Sequence, residues 1–418
     1  MMFQAGAVQL LCLTASSGVP LFCRGRGACR QLPFSVIGSL NGVHMFGSSQ
    51  DAQLSSTVTE WGRVLWRVYH ESITLIAVSS EEGASELYLE RLLENVFSCM
   101  VLILGLDDLA NIKNVERLKR DLRSCYKLID SFLEVPNEDV GDLTHCADCL
   151  IPQEPTILQE CLDGFSQAAE SEFGCLLVDG KIVVATEKWW RLAPQEVVLL
   201  SFLVRSLGGS SSRDYPVFLP QGSPNVPHRL LCFQLLAGVD VCVLCGPTPS
   251  LQKVERELVC RFWSPLIDCL RICVRLKGRC FPGTVSIPQG ILGLLLINRD
   301  NSRALCSIQG FQESAQSSAS FSQERRRELL RQFYTLATTR YFLAEPQGEK
   351  HRALTEEFQF GFTHEPVQCY LVTDDCKCFG IQTPQYQCFV LTTDSVPTFA
   401  LRSLATRTLT ALTTQTAF

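Results

Sequence analysis

VQLLCLTASSGVPLFCR, residues 8–24, contains two short apolar runs separated by a turn signal. Val8–Thr14 and Leu21–Arg24 are rich in residues that favour strands, and the Ser-Ser-Gly-Val-Pro between them is typical of a tight turn. The pattern predicts a β-hairpin. A helix is predicted next, beginning at Pro33, because the fixed φ of proline suits a first helical position.

The same order of elements, a hairpin, a helix, further strands and a long helix, recurs twice more along the chain. The second copy turns at Asp179-Gly180 and continues into a helix near 194–207, and the third opens with Ile291–Asn298. Because the hairpins are local and few βαβ crossovers are present, each copy is predicted to form a five-stranded antiparallel sheet flanked by helices. The predicted fold is α/β, of the α+β type, with domains at 1–135, 140–282 and 283–418.

Composition restricts the class of function. Hydrophobic residues make up 46% and charged residues 19% of the 418 residues, an ordinary globular balance. The net charge of −6 lacks the basic excess of nucleic-acid-binding proteins, so no nucleic-acid partner is predicted. The 21 cysteines lie mostly in apolar runs, and neither an export signal nor a membrane span is expected, so reduced thiols in the cytoplasm are predicted.

No motif for catalysis is present. Phosphate-binding loops, nucleophile elbows and His-Glu-x-x-His zinc motifs are all missing, and the six histidines are scattered. No catalytic residue, metal or cofactor is therefore predicted. Cys146 and Cys149 leave a zinc or thiol enzyme open as an alternative, although Cys242 and Cys245 lie in a predicted strand whose alternation places them on opposite faces.

One helix carries a basic stripe opposite its apolar face. A helix is predicted over about 114–133. Four basic residues at helical spacing form the stripe: Lys113, directly before the helix, and Arg117, Arg120 and Lys127 on it. Such a stripe suits anionic lipid headgroups or an acidic partner. A solvated helix face is the commoner origin of such a pattern.

Five stretches resemble the Fuzzy family of planar-cell-polarity effectors. They are LTASSGVPLFCR (13–24), LPFSVIGSLNGVHMF (32–46), NVERLK (114–119), RDYPVFLP (213–220) and LRSLAT (401–406). The resemblance covers the whole chain, and it implies three longin (roadblock-like) domains, in agreement with the repeat.

The resemblance also implies partners and a cellular role. These are an Inturned-type longin protein, a Fritz-type WD-repeat protein and a small Rab-like GTPase, within a guanine-nucleotide exchange factor linked to the cytoskeleton, the basal body, cilium formation and Hedgehog signalling. Exchange needs no chemical active site, which fits the absent motifs. The alternative is a GTPase effector or scaffold that recruits ciliary transport machinery to the basal body membrane.

The first predicted helix is the best candidate for partner contact. Its apolar face consists of Val36, Ile37, Leu40 and Val43. Gly38 and Gly42, four residues apart, give the helix a second, smooth side. Because this segment also carries the resemblance, the predicted contact residues are Pro33, Phe34, Gly38, Asn41, Gly42 and Met45.

Overall fold

The computed structural model describes residues 8–25, 32–60, 62–79, 85–133, 140–206, 208, 210–308, 321–342 and 366–415. These residues form three antiparallel sheets. The chain divides into two compact units. The first comprises Met1–Ala147 with Glu154–Val274, and the second comprises Asp148–Gln153 with Arg275–Phe418.

The first sheet has the strand order β2-β1-β5-β4-β3. Its strands are β1 (Val8–Thr14), β2 (Pro20–Gly25), β3 (Ser56–Thr59), β4 (Gly62–Tyr69) and β5 (Ile73–Ser79), and helix α1 (Phe34–Ser49) connects β2 to β3. The predicted opening hairpin is confirmed, with Leu11 opposite Cys23. The edge strand β3 was not predicted.

The helices after the first sheet are α2 (Glu86–Leu104), α3 (Leu106–Ala110), α4 (Val115–Asp121) and α5 (Tyr126–Leu133). The Ser85 hydroxyl accepts a 3.1 Å hydrogen bond from the Tyr88 amide and caps α2, and Gly105 ends it at φ +84°. The continuous helix predicted over 114–133 is wrong in one respect, because a 3₁₀ turn, Leu122–Cys125, separates α4 from α5.

The second sheet has the order β8-β7-β11-β10-β9. Its elements are α6 (Gly141–Thr144), α7 (Pro155–Ala168), β7 (Phe173–Val178), β8 (Lys181–Ala185), α8 (Glu187–Trp190), α9 (Pro194–Ser206), β9 (Ser212–Leu219), β10 (Ser223–Leu236) and β11 (Val239–Cys245). Its last helical stretch runs through α10 (Leu251–Lys253), a π-helix (Val254–Val259), α11 (Cys260–Trp263), a 3₁₀ turn (Ser264–Leu266) and α12 (Ile267–Arg275).

The three prolines and the glycine of residues 220–227 predict a loop, and this prediction is wrong for most of its length because β10 begins at Ser223. Pro224 and Pro227 fall where the β9–β10 pairing shifts register, between Ser223 and His228. A strand tolerates proline at such an irregularity, since no ladder hydrogen bond is needed there.

The third sheet has six strands in the order β14-β15-β16-β12-β13-β6, one more than predicted. The sixth is the short β6 (Ala147–Asp148), and the others are β12 (Ile291–Asn298), β13 (Arg303–Ser307), β14 (Gln368–Val372), β15 (Cys376–Gln382) and β16 (Tyr386–Thr393). Two helices belong to this part of the chain, α13 (Gln323–Arg340) and α14 (Leu401–Gln415). The stretch 310–320, whose Ser- and Gln-rich composition predicts a loop, lies outside the described residues.

One topology is common to the three sheets. In each, a hairpin occupies one side, the last strand is central, and a helix leads from the hairpin to the strand at the opposite edge. We call α1, α9 and α13 the first helices, and β3, β9 and β14 the corresponding edge strands. Among the described helices, none has the length and hydropathy needed to span a membrane.

Candidate protein-interaction site

Helix α1 contains no charged side chain over its sixteen residues. His44 is buried, and burial lowers its pKa, so the imidazole is neutral at pH 7. A surface helix ordinarily carries charged residues on its outer side. The absence of charged side chains along α1 is therefore unusual for a helix that faces water.

The inner side of α1 packs on the first sheet. Ile37 belongs to a buried cluster with Leu11, Leu13 and Ile76, and Val36 is partly buried against it. The indole Nε1 of Trp66 donates a 3.2 Å hydrogen bond to the Leu40 carbonyl. These contacts fix the orientation of the helix and therefore of its outer side.

The outer side of α1 exposes large apolar side chains. Phe34 is 77% exposed, Phe46 69%, Val43 56% and Met45 45%. Val43, predicted to lie on the apolar face with Val36, Ile37 and Leu40, is exposed rather than buried. Around Gly38 and Gly42 a Cβ atom would meet nothing within 4 Å, so their smooth side is open.

The six predicted contact residues lie close together in the structure. Pro33 directly precedes α1, and the other five lie on one side of this helix. Phe34, Gly38, Gly42 and Met45 are exposed, while Pro33 and Asn41 are half-buried. The Asn41 amide donates to the Met45 sulfur at 3.2 Å. The structure brings these residues together, and their role in partner contact stays a prediction.

A groove of about 420 Å³ runs between α1 and the edge of the first sheet. Its lining is apolar or hydroxylated and contains no charged residue: Ser35, Val36, Ser39, Leu40, Val43, Thr57, Thr59, Val64 and Trp66. The groove was not predicted because β3 was not predicted. The β-branched residues Thr57, Val58 and Thr59 were the available signal.

The three first helices differ in what covers their outer sides. Residues 196–204 of α9 are all buried, and α2 and α5 pack against this helix. The outer side of α13 is polar, and there Arg325 bonds Glu328 at 2.7 Å and Gln332 bonds the same carboxylate at 3.2 Å. Of the three, α1 alone is both apolar and uncovered by described residues.

Comparison with known proteins agrees with this architecture. Family models for the first, second and third longin domains of FUZ, MON1 and HPS1 match residues 8–132, 169–264 and 290–416. The chain is 60% identical to the protein fuzzy homolog of Xenopus tropicalis over 97% of its own length and 98% of that protein. It is 50% identical to the human homolog over 98% of each chain, and 50% identical to the mouse homolog over 97% of each.

The chain belongs to the Fuzzy family. Each matched segment contains five strands of one of the three sheets, and only β6 of the third sheet lies outside the matches, so the predictions of this family and of three longin domains are confirmed. The predicted domain boundaries stay predictions. The open groove and the apolar side of α1 belong to the first longin domain of this family.

The four basic residues predicted as a stripe are all exposed. The 3₁₀ turn between α4 and α5 interrupts their helical spacing. Asp121 lies 3.4 Å from the Arg117 Nε and 3.7 Å from the Arg120 Nε, and its carboxylate offsets part of their charge. Arg123, also exposed, was missed.

The cysteine alternative gains no support from the geometry. Cys146 and Cys149 are both buried. Within the described ranges, no group of three or more His, Cys, Asp or Glu side chains is arranged to hold a metal ion.

Proposed function

We propose that this Fuzzy-family chain is a non-catalytic subunit of a ciliogenesis and planar-polarity complex. In it, the first longin domain pairs with an Inturned-type longin protein, and a Fritz-type WD-repeat protein is a further subunit. The pair engages a small Rab-like GTPase as part of a guanine-nucleotide exchange factor that supports cilium assembly and Hedgehog signalling at the basal body. The supporting observation is the uncharged, exposed apolar side of α1.

The exposed apolar side chains of α1 can offset the cost of association with a protein partner. Phe34, Val43, Met45 and Phe46 are the exposed apolar side chains of α1. Full burial of such side chains contributes about 1.5–3 kcal/mol each. Their sum is comparable to the association cost of about 4–15 kcal/mol.

Nucleotide exchange is consistent with a chain that lacks a catalytic motif. An exchange factor binds a distorted state of the GTPase more tightly than the nucleotide-bound state, and this difference in affinity weakens nucleotide and Mg²⁺ binding. No nucleophile or base is required.

Gly42→Glu tests the pairing surface. A side chain at Gly42 meets no neighbour within 4 Å, so the fold is expected to tolerate it. A bound partner, however, would bury the carboxylate of the new Glu side chain against an apolar surface. The substitution is therefore expected to abolish co-purification with the Inturned-type partner. Thr406→Glu, at an exposed position of α14, is the matched control and should leave pairing intact. Undiminished co-purification of Gly42→Glu contradicts the assignment.

A second experiment separates exchange factor from effector. The chain and its Inturned-type partner are co-expressed and used to capture Rab-like GTPases, either nucleotide-free or loaded with a GTP analogue. Preference for the nucleotide-free form is expected. Preference for the GTP-analogue form instead supports the effector or scaffold, and capture of neither form contradicts GTPase engagement.

We further propose that the basic stripe contacts an anionic membrane. The exposed side chains of Lys113, Arg117, Arg120 and Lys127 support it, each being worth about 1 kcal/mol near such a surface. Replacing Lys113 and Lys127 by Glu is expected to reduce sedimentation with vesicles containing phosphatidylserine. Equal sedimentation of the variant and the unaltered chain contradicts this contact.

A further inference from the structure

The second longin domain shows what covers a first helix and its edge strand. Helix α2 packs against both α9 and β9. Near α9, the Gln195 amide donates to the Asn95 Oδ1 at 3.3 Å. Near β9, a Cβ atom on Gly105 would lie 3.0 Å from the Phe218 ring. Helix α2 thus follows the channel between a first helix and its edge strand.

Helix α5 completes this cover. The rings of Phe132 and Phe202 stack with centroids 4.7 Å apart, and both side chains are buried. The cover of α9 is therefore a helical layer with an aromatic contact, and no described strand pairs with the outer edge of β9.

The groove of the first domain is the corresponding place beside α1. It lies between α1 and β3–β4, as the channel occupied by α2 lies between α9 and β9. Helices α2 and α5 are already packed against the second domain. The first domain thus supplies a helical layer to its neighbour, while its own equivalent channel is open among the described residues.

We infer that this groove receives an amphipathic α-helix of the partner, seated as α2 is seated on α9 and β9. The inference rests on the proposed function, and it specifies the element and the geometry of the contact. The alternative geometry is an extended segment that adds to the outer edge of β3.

The lining defines the chemistry of the incoming helix. Because Val36, Leu40, Val43, Val64 and Trp66 are apolar and the other lining residues carry hydroxyl groups, the inner face of the incoming helix is apolar and uncharged. Its apolar residues recur at intervals of three and four, since only these share one helical face. An added strand would instead present every second residue.

A photo-crosslinking amino acid at Val43 tests the geometry in the full chain co-purified with its Inturned-type partner. Val43 lines the groove and is exposed, so the replacement leaves the core unchanged. Crosslinked partner residues are expected at intervals of three, four and seven. The same photo-crosslinking amino acid at Gln332, on the outer side of α13, is the control. It should give no crosslink to the partner helix that Val43 contacts.

Hydrogen exchange of β3 is the second readout. A helical occupant adds no backbone hydrogen bonds along the outer edge of β3, so exchange of the Ser56, Thr57 and Val58 amides should slow by less than tenfold in the complex. Crosslinks at intervals of two, with much stronger protection of β3, establish strand addition and overturn the inference. A stable complex without crosslinks from Val43 also overturns it and leaves the proposed pairing intact, whereas failure to co-purify refutes the pairing itself.

Discussion

Two glycines of the first longin domain make opposite contributions to stability. Gly105 has φ +84° and ψ 158°, and the Phe218 ring lies 3.0 Å from the position of a Cβ atom. Gly105→Ala is therefore expected to destabilise the chain by about 1–3 kcal/mol. Gly42→Ala, at an open helical position, should stabilise it by about 0.5–1 kcal/mol. Urea unfolding measures both, and equal effects contradict the strain at Gly105.

His145 makes stability depend on pH. Its Nδ1 lies 2.8 Å from the Arg91 Nη1, and burial, then Arg91, lowers the pKa from 6.5 to about 3. The unfolded chain binds a proton at higher pH than the folded one, so this stability is complete above pH 6.5 and is lost towards pH 3, by at most about 1.4 kcal/mol per unit.

His145→Asn removes the titrating group and suits the left-handed backbone, φ 54°. The free energy of unfolding should therefore vary less steeply between pH 6.5 and 4.5 in the variant. An unchanged slope shows that His145 does not titrate differently in the folded and unfolded chains.

Local features at this scale were predictable and distant ones were not. Ser85 as a cap and Gly105 as a stop follow from their neighbours in sequence. The contact of His145 with Arg91 joins residues 54 positions apart, and only the fold brings them together.

At the scale of elements, the packing of α5 on α9 joins the first and second longin domains. Phe132 is 1% exposed, and its ring stacks on Phe202. Phe132→Ala is expected to lower the free energy of unfolding by about 3–5 kcal/mol, because it leaves a cavity. Phe399→Ala, at a side chain 89% exposed, should change it by less than about 0.5 kcal/mol. Denaturant titration compares the two, and equal losses contradict the packing argument.

Strongly periodic elements were predicted well. Helix α2 buries Leu89, Leu92, Leu93, Val96 and Met100, and their spacing in the sequence predicts one buried face of a helix. Strand β3 is short, and half of it is exposed, so its hydrophobic pattern is weak. The candidate groove lies between α1 and the sheet edge formed by β3 and β4. It exists only because the fold brings these separate segments together, so the sequence of either segment alone does not predict it.

At the scale of the whole molecule, tryptophan reports on one unit alone. The five tryptophans, at 61, 66, 189, 190 and 263, all fall within Met1–Ala147 and Glu154–Val274. If the two compact units unfold separately, tryptophan fluorescence should follow one transition, while far-ultraviolet circular dichroism should show a second one. Superimposable curves from the two probes would show a single cooperative unit instead.

The uncharged side of α1 also bears on how the cell regulates the amount of this chain. Under the proposed pairing, a chain without its partner leaves the apolar side of α1 exposed, and such a surface is open to chaperones and proteases. Assembly covers that surface. The proposed pairing therefore predicts that depletion of the Inturned-type partner shortens the half-life of this chain, and that Phe34→Ser with Phe46→Ser restores it.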